Sequence, residues 1–237
     1  MTNMVLHKAE TRGHAQHGWL DAHHTFSFAN YHDPARMHFG VLRVLNDDII
    51  DGGGGFGMHP HDNMEIITIP IEGELEHKDS MGNVGVIRQN EVQVMSAGTG
   101  VYHSEYNKNP DKKTNLLQIW IFPNKRNVTP RYDQITFDPK DRVNKLLQIV
   151  SPNANEKGLW IHQDAWFHLG NFDKDLSIDY TLKKKGNGIY LFVISGSVFV
   201  EDQLLNKRDG MGVWAIDKIK IKAETKSEIL IMEVPMQ

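Results

Sequence analysis

Apolar and polar residues alternate over short stretches along most of this chain, which is the pattern of β-strands with one buried face. Residues 115–122 also contain β-branched and aromatic side chains, which favour a strand. Other predicted strands cover residues 40–48, 92–95, 146–150, 189–194, 198–200 and 229–232. Short strands separated by turns, such as residues 79–83, predict an all-β sandwich or barrel.

Two regions interrupt this pattern. Residues 123–139 contain three prolines among polar residues and are interpreted as a connector. Residues 11–40 show neither helical nor strict strand periodicity, which indicates short strands and ordered loops. This region contains six histidines, namely His14, His17, His23, His24, His32 and His38. We interpret them as hydrogen-bond donors to loop backbone rather than as a metal site, because their spacings share no single face.

Length and composition narrow the choice of protein class. A chain of 237 residues is compatible with one large all-β domain or with two smaller ones. Charged residues make up 24% of the chain and the formal net charge is −4, so nothing indicates nucleic acid as the main partner. The absence of cysteine excludes disulfides and thiolate ligands, so a metal would be held by nitrogen and oxygen. No apolar leader segment or membrane span is recognised, and we expect a cytoplasmic protein without a membrane partner.

A short repeat relates the two halves of the chain. Residues 71–75, Ile-Glu-Gly-Glu-Leu, resemble residues 194–198, Ile-Ser-Gly-Ser-Val. Counting back equal distances from the shared glycine places His59, His61 and Glu65 of the first half against Leu182, Lys184 and Gly188 of the second. No histidine follows His168, so the second half is predicted to be structural or to cap the first.

Histidine spacing between residues 53 and 105 predicts a metal site. His59 and His61 are two residues apart and share one face of a strand, as do His103 and Glu105. A closed or packed sheet would bring the two pairs together around one divalent metal inside a barrel. The alternative is that these histidines are structural residues with satisfied hydrogen bonds. The facing of Glu65 stays open, because residues 62–63 are a candidate turn.

Three imidazoles and one carboxylate leave a divalent ion with a net charge near +1 and, if it is six-coordinate, about two open positions. Such a site suits an anionic or bidentate organic substrate, dioxygen, or both. Fe(II) heads the candidate metals, while Ni, Cu, Mn, Co and Zn also accept this ligand set. A carboxylate ligand that detaches could take a proton from a substrate hydroxyl as a general base.

These residues resemble the motifs of the cupin superfamily. The first motif is matched by Gly53, His59, His61, Glu65 and Gly73, with one residue more before the last glycine than in the general pattern. The second motif is similar to the stretch that ends in His103 and Asn107.

A closer resemblance is to the pirin family, bicupins that include bacterial quercetinase-like members. Its most specific elements are Arg-Gly-His at 12–14, His-Pro-His at 59–61 and His-Ser-Glu at 103–105. Further matching stretches are residues 17–21, 24–31, 33–34, 42–48, 95–100, 118–121 and 161–165.

The resemblance implies two antiparallel β-barrels packed face to face. Residues 1–125 would form a metal-binding barrel and residues 126–237 a degenerate barrel without metal. The family's ligands fall on His59, His61, His103 and Glu105, which leaves Glu65 as a residue beside the ligands rather than a ligand.

Where many family members carry Arg-Gly-Phe after His-Pro-His, this chain has Asp62-Asn63-Met64. The added negative charge beside the ligands leaves the metal in place, but puts the family's substrate contacts in question.

Two functions of different class follow from the resemblance. The first is a metal-dependent dioxygenase that opens a flavonol such as quercetin and releases carbon monoxide, with Glu105 accepting the substrate's 3-hydroxyl proton. The second is a regulatory module that binds a protein partner according to the redox state of its metal. Under either hypothesis we expect the protein to be a monomer. A sugar or amino-acid isomerase, of the kind other cupins represent, is a third and weaker alternative.

Overall fold

The computed structural model describes residues 3–237, so the first two residues of the predicted N-terminal domain lie outside it, and the described chain is nearly all antiparallel β-structure. The strands up to the middle of the chain are β1 (Asn3–His7), β2 (Gly13–Gln16), β3 (Leu20–His24), β4 (Leu42–Ile50), β5 (Gly55–His61), β6 (Glu65–Glu72), β7 (Glu74–Asp79), β8 (Val84–Arg88), β9 (Glu91–Ser96), β10 (Val101–Tyr106), β11 (Thr114–Ile121) and β12 (Arg131–Thr136).

The remaining strands are β13 (Leu146–Ser151), β14 (Leu159–Trp160), β15 (Trp166–Phe172), β16 (Ser177–Thr181), β17 (Asn187–Ser195), β18 (Ser197–Val200), β19 (Gln203–Asn206), β20 (Gly210–Trp214), β21 (Lys218–Ala223) and β22 (Ser227–Pro235). Two short 3-10 helices cover Ala9–Thr11 and Pro139–Arg142. No helix among residues 3–237 has the length and apolar character needed to span a membrane.

The chain forms two barrels, each built from a seven-stranded and a four-stranded sheet. The first barrel has the strand orders β12-β9-β6-β11-β4-β3-β2 and β5-β10-β7-β8. The second has the orders β1-β20-β17-β22-β15-β13-β14 and β16-β21-β18-β19. The two lists match strand for strand, which confirms the predicted all-β bicupin architecture.

The repeat glycines hold equivalent places in the two barrels. Gly73 joins β6 to β7 with φ of 77°, and Gly196 joins β17 to β18 with φ of 76°. This backbone conformation favours glycine because a Cβ atom would be strained there. The repeat detected in the sequence therefore corresponds to the same turn in each barrel.

An edge strand of each seven-stranded sheet comes from outside the barrel's continuous segment. β1 precedes the first barrel but pairs with β20 of the second, with Asn3 opposite Trp214. β12 lies in the segment between the barrels and pairs with β9 of the first, with Arg131 opposite Ser96. The domain boundary after residue 125 stays a prediction. β1 precedes it but pairs within the second barrel, and β12 follows it but pairs within the first.

The predicted connector at residues 123–139 was wrong in one respect, because it contains β12. The sequence of this strand, Arg-Tyr-Asp-Gln-Ile-Thr, lacks regular apolar alternation, and its side chains are at most partly buried. Its strand conformation comes from pairing with the free edge of β9. A contact of this kind leaves no signal in the local sequence.

The two seven-stranded sheets pack face to face through one hydrophobic core. The first barrel contributes Ile67 and Ile119, and the second contributes Phe167, Phe192 and Leu230, all fully buried. Burial of each such side chain stabilises the fold by about 1.5–3 kcal/mol. The opposite faces of β4, β6 and β11 therefore look into the first barrel, where the candidate site lies.

Candidate metal centre

Strands β5 and β10 bring three histidines together inside the first barrel. His103 lies directly opposite His59 in the antiparallel register, and Val101 lies opposite His61. The ring centroids are 4.3 Å apart for His59 and His103, and 4.9 Å for His61 with either of the others. One ligand nitrogen from each ring lies within 4.8 Å of the others, close enough to share one ion.

A β-bulge lies next to the histidines. Between His103 and Glu105 the register on β5 shifts from His59 to Phe56, so that β5 carries one residue more than β10. Bulges of this kind bend a strand and redirect side chains, and they are common beside functional sites.

Hydrogen bonds prepare the histidine nitrogens for a metal. The Nδ1 of His59 lies 2.8 Å from the carbonyl oxygen of Gly57, which fixes a proton on Nδ1 and leaves Nε2 with its lone pair. The Nε2 of His103 is buried and has no hydrogen-bond partner among the described residues. Burial lowers the pKa of His61 to about 4 and that of His103 to about 2, so both rings are neutral. Neutral imidazoles such as His61 and His103 are suitable ligands for a divalent transition metal.

Glu105 lies two residues after His103 on β10. It is buried, and a carboxylate oxygen of Glu105 lies within 4.8 Å of ligand nitrogens of His103 and His77. The Nε2 of Gln118 donates to both carboxylate oxygens, at 3.2 and 3.1 Å. Burial raises the pKa of Glu105 to about 7, because the neighbouring groups offset little of the cost of removing the charge from water. The structure therefore groups the predicted ligands as a histidine trio with Glu105 beside His103.

A cavity of roughly 450 Å³ opens onto these groups. His59, His61 and Glu105 line its polar part together with Asn46, Asp48 and Gln118. Its aromatic walls are formed by Trp19, Phe28, Phe56 and Trp120. The cavity thus combines a polar end with flat apolar walls, an arrangement suited to an aromatic molecule bearing oxygen substituents.

Asp48 is a second buried acid in this cavity. Burial raises its pKa well above the usual range, and the nearby carboxylates of Asp47 and Glu105 raise it further. The Oδ1 atom of Asp48 and the indole Nε1 of Trp120 are buried without a hydrogen-bond partner within residues 3–237. Both residues line the cavity.

Glu65 faces away from the predicted ligands, contrary to the prediction that it lies beside them. On β6 it shares its face with Ile67 and Ile69, which belong to the core between the barrels, whereas Ile66 faces the first barrel's interior. Its carboxylate accepts a 2.7 Å hydrogen bond from Ser96. Residues 62–64 interrupt the strand between β5 and β6, so the parity that would align Glu65 with His61 is broken.

The histidine-rich segment shows a mixture of roles. As predicted, His38 bonds to backbone, at the carbonyl of Gly40. His14 and His23, however, lie directly opposite one another on β2 and β3, and with Asp21 they form an exposed group whose ligand atoms lie within 4.8 Å. The sequence spacing concealed this shared face because the pairing of β2 with β3 depends on the hairpin at residues 17–19.

Several residues of the site were not predicted. Gln118 and Trp120 lie on β11, and Asn46 and Asp48 on β4, at alternate positions that face the cavity. Polar residues at alternate positions of otherwise apolar strands were the available signal. His77 was also missed, although its spacing from Asp79 repeats the spacing of the recognised pairs.

Two barrels with a histidine cluster inside the first define the class of this protein as a bicupin with a cupin-type metal site. The pirin family profile matches residues 5–121, and a profile described as a quercetinase C-terminal cupin domain matches residues 148–234.

Similar proteins agree with this class. The chain is 44% identical over 232 residues to quercetin 2,3-dioxygenase of Escherichia coli K12, with 98% of this chain and 99% of the relative covered. It is 40% identical over 222 residues to a pirin-like protein of Caulobacter vibrioides, covering 93% and 95% of the two chains. The crystal structure of bacterial pirin YhhW from E. coli in complex with nickel(II) superposes with a TM-score of 0.94 at 42% identity, covering 99% of this chain and all of the other. The chain belongs to the pirin family.

Proposed function

We propose that this protein is a metal-dependent dioxygenase that cleaves a flavonol such as quercetin. His59, His61, His103 and Glu105 would hold one divalent transition metal, with Fe(II) the first candidate. The observation that carries the proposal is a trio of histidines with the buried Glu105 beside His103, at a cavity with aromatic walls that His59, His61 and Glu105 line.

The metal would act as a Lewis acid toward the substrate's oxygens and support dioxygen chemistry. Glu105 would accept the proton of the substrate's 3-hydroxyl group. A carboxylate with a pKa near 7 is a stronger base than an exposed glutamate, and about half of it is in the ionised, basic form near neutrality. Gln118 holds this carboxylate in place through its amide nitrogen.

The cavity supports an aromatic substrate. Its volume lies within the range of about 300–1,000 Å³ common for small-molecule sites. Phe28 and Trp120 form an edge-to-face pair with centroids 5.2 Å apart, and His61 packs edge-on against Trp120 at 4.9 Å. These contacts form an aromatic wall against which a planar ring system can stack.

Relatives support the substrate class. The E. coli proteins that are 44% identical over 98% of the chain are named quercetin 2,3-dioxygenase. A nickel(II) complex of the E. coli pirin supports a metal site, without fixing the metal in this chain.

Oxygen uptake and carbon monoxide release by metal-loaded protein supplied with quercetin test the proposal. We expect both in the wild type, their loss in His61→Ala, and their retention in the exposed variant His14→Ala. Metal-replete protein that neither consumes dioxygen nor releases carbon monoxide would overturn the dioxygenase proposal. The regulatory protein-binding module would then be the hypothesis to test, by comparing bound partners of the ferrous and ferric forms.

A further inference from the structure

Asp79, His77 and His103 are buried and form a hydrogen-bonded row that ends at one member of the histidine trio. The Nε2 of His77 lies 3.2 Å from Oδ2 of Asp79, and the Nδ1 of His77 lies 3.4 Å from Nδ1 of His103. Asp79 and His77 come from β7, which pairs with β10, so that Asp79 lies opposite His103. The row runs from a carboxylate through one imidazole to a candidate metal ligand.

The direction of the hydrogen bonds follows from the Asp79 end. Its carboxylate also accepts from the backbone nitrogens of Met81 and Asn83, at 2.9 and 3.0 Å, and from the side-chain amide of Asn83 at 2.8 Å. An ionised carboxylate can only accept. The Nε2 of His77 must therefore carry a proton and donate it to Asp79.

The proton on Nε2 determines the rest of the row. A neutral His77 ring then has its lone pair on Nδ1, and this atom faces His103. The Nδ1 of His103 must therefore be the protonated donor, which leaves the lone pair of His103 on Nε2. That nitrogen is the buried atom without a hydrogen-bond partner in the described part of the chain.

His77 is held in place by its surroundings. Its ring is fully buried and lies 4.7 Å from the ring of Tyr132, tilted by 31°. A ligand atom of His77 is also within 4.8 Å of those of His103 and Glu105, so an ion bound directly by His77 is the competing interpretation. Both ring nitrogens of His77 are already engaged, one with Asp79 and one with His103, which argues against it.

We propose that His77 and Asp79 are positioning residues that fix the tautomer of His103 and so present its Nε2 to the metal. This inference rests on the ligand assignment of the proposed function, but not on flavonol cleavage. Outer residues that orient ligating histidines typically change metal affinity by about 10–100-fold when removed.

His77→Asn and His77→Leu form a matched pair for testing this role. Asparagine and leucine have nearly the same shape, but only asparagine places an oxygen near the position of the His77 Nδ1, where it can accept from His103. We expect the dissociation constant for Zn²⁺, measured by chelator competition, to rise about 10–100-fold in His77→Leu and to stay within about 3-fold of wild type in His77→Asn. His38→Ala, which removes a hydrogen bond to the carbonyl of Gly40 and belongs to no candidate metal group, serves as the unaffected control.

Nitrogen-15 NMR of the imidazoles supplies a readout that is independent of catalysis. In the Zn²⁺-loaded wild type, His103 should show a protonated Nδ1 and a metal-bound Nε2. Unchanged Zn²⁺ affinity in His77→Leu, or metal bound through Nδ1 of His103, would overturn the inference. Equal losses in both His77 variants would identify His77 as a ligand. Wild-type protein that binds no Zn²⁺ would refute the proposed ligand set itself, whereas binding without quercetin turnover would refute only the proposed reaction.

Discussion

The two barrels share one strand arrangement but have opposite interiors. In the first barrel His103 of β10 lies opposite His59 of β5, and in the second Ile219 of β21 lies opposite Tyr180 of β16. Across the next strand, Glu105 lies opposite His77 in the first barrel. The corresponding residues in the second are Ile221 and Val200.

Apolar side chains fill the second barrel where the first has a cavity. Tyr180, Ile219, Ile221 and Val200 all belong to one buried cluster, against which Leu182 also packs. In the first barrel the matching region keeps buried polar atoms without partners, such as Asp48 Oδ1, at a cost in stability. The comparison teaches that the fold tolerates either interior, and that Asp48 Oδ1, buried without a partner among residues 3–237, lies in the barrel that contains the candidate site.

The structural register corrects the residue-by-residue repeat predicted from the sequence. Counting back from the shared glycine matched Leu182 with His59, whereas the register matches Tyr180 with His59. The difference arises because β16 ends at Thr181 and β17 begins at Asn187, a longer connection than the one between β5 and β6. In either alignment, the residue of the second barrel that corresponds to His59 is not a histidine.

The largest expected effect comes from removing a proposed metal ligand in the first barrel. His61→Ala should weaken divalent-metal binding by at least about 100-fold, more than the loss of an outer residue does. The matched change in the second barrel is Tyr180→Phe, which removes a 2.8 Å hydrogen bond to Glu233 and should leave metal content unchanged. Elemental analysis of both purified variants checks this, and equal metal loss in the two would contradict the division of roles.

A core truncation in the second barrel should have the reverse effect. Ile219→Ala leaves a cavity in the apolar cluster and should lower the free energy of unfolding by about 2–5 kcal/mol. Metal affinity should remain within about 3-fold of wild type, as expected for independent distant sites. Urea unfolding and chelator competition measure the two quantities, and a large loss of affinity would show that the second barrel supports the site directly.

We expect Glu65, which lies in the core between the barrels, to make the free energy of unfolding depend on pH independently of the metal. Burial raises its pKa from 4.5 to about 7, although Ser96, His162 and Arg131 act in the opposite direction. The folded state therefore binds more protons than the unfolded state between these values. Stability from this group is present below pH 4.5 and is lost as the pH rises through 7.

Comparison with Glu65→Gln isolates this contribution. From about pH 4.5 to above 7 the wild type should lose on the order of 3 kcal/mol relative to the variant, which cannot ionise there. Urea unfolding of chelator-treated protein at pH 5 and pH 8 measures the difference. Parallel stability profiles for the two proteins would contradict a raised pKa.

Much of the fold and the core of the site could be predicted from the sequence, for physical reasons. Alternation located strands such as β4 and β11, and the i, i+2 spacing placed His59 and His61 on one face. The pairing of distant strands left no local signal, so the exchange of β1 and β12 and the shared face of His14 and His23 were not predicted. His77 was missed because its role depends on β7 lying beside β10, a contact that only the closed sheet creates.

Anomalous X-ray diffraction at the absorption edge of the bound metal, on crystals of metal-loaded protein, tests the central claim most directly. The account predicts one peak per chain, inside the first barrel and surrounded by His59, His61, His103 and Glu105, with none in the second barrel. A peak elsewhere, or one that His103 does not contact, would contradict it.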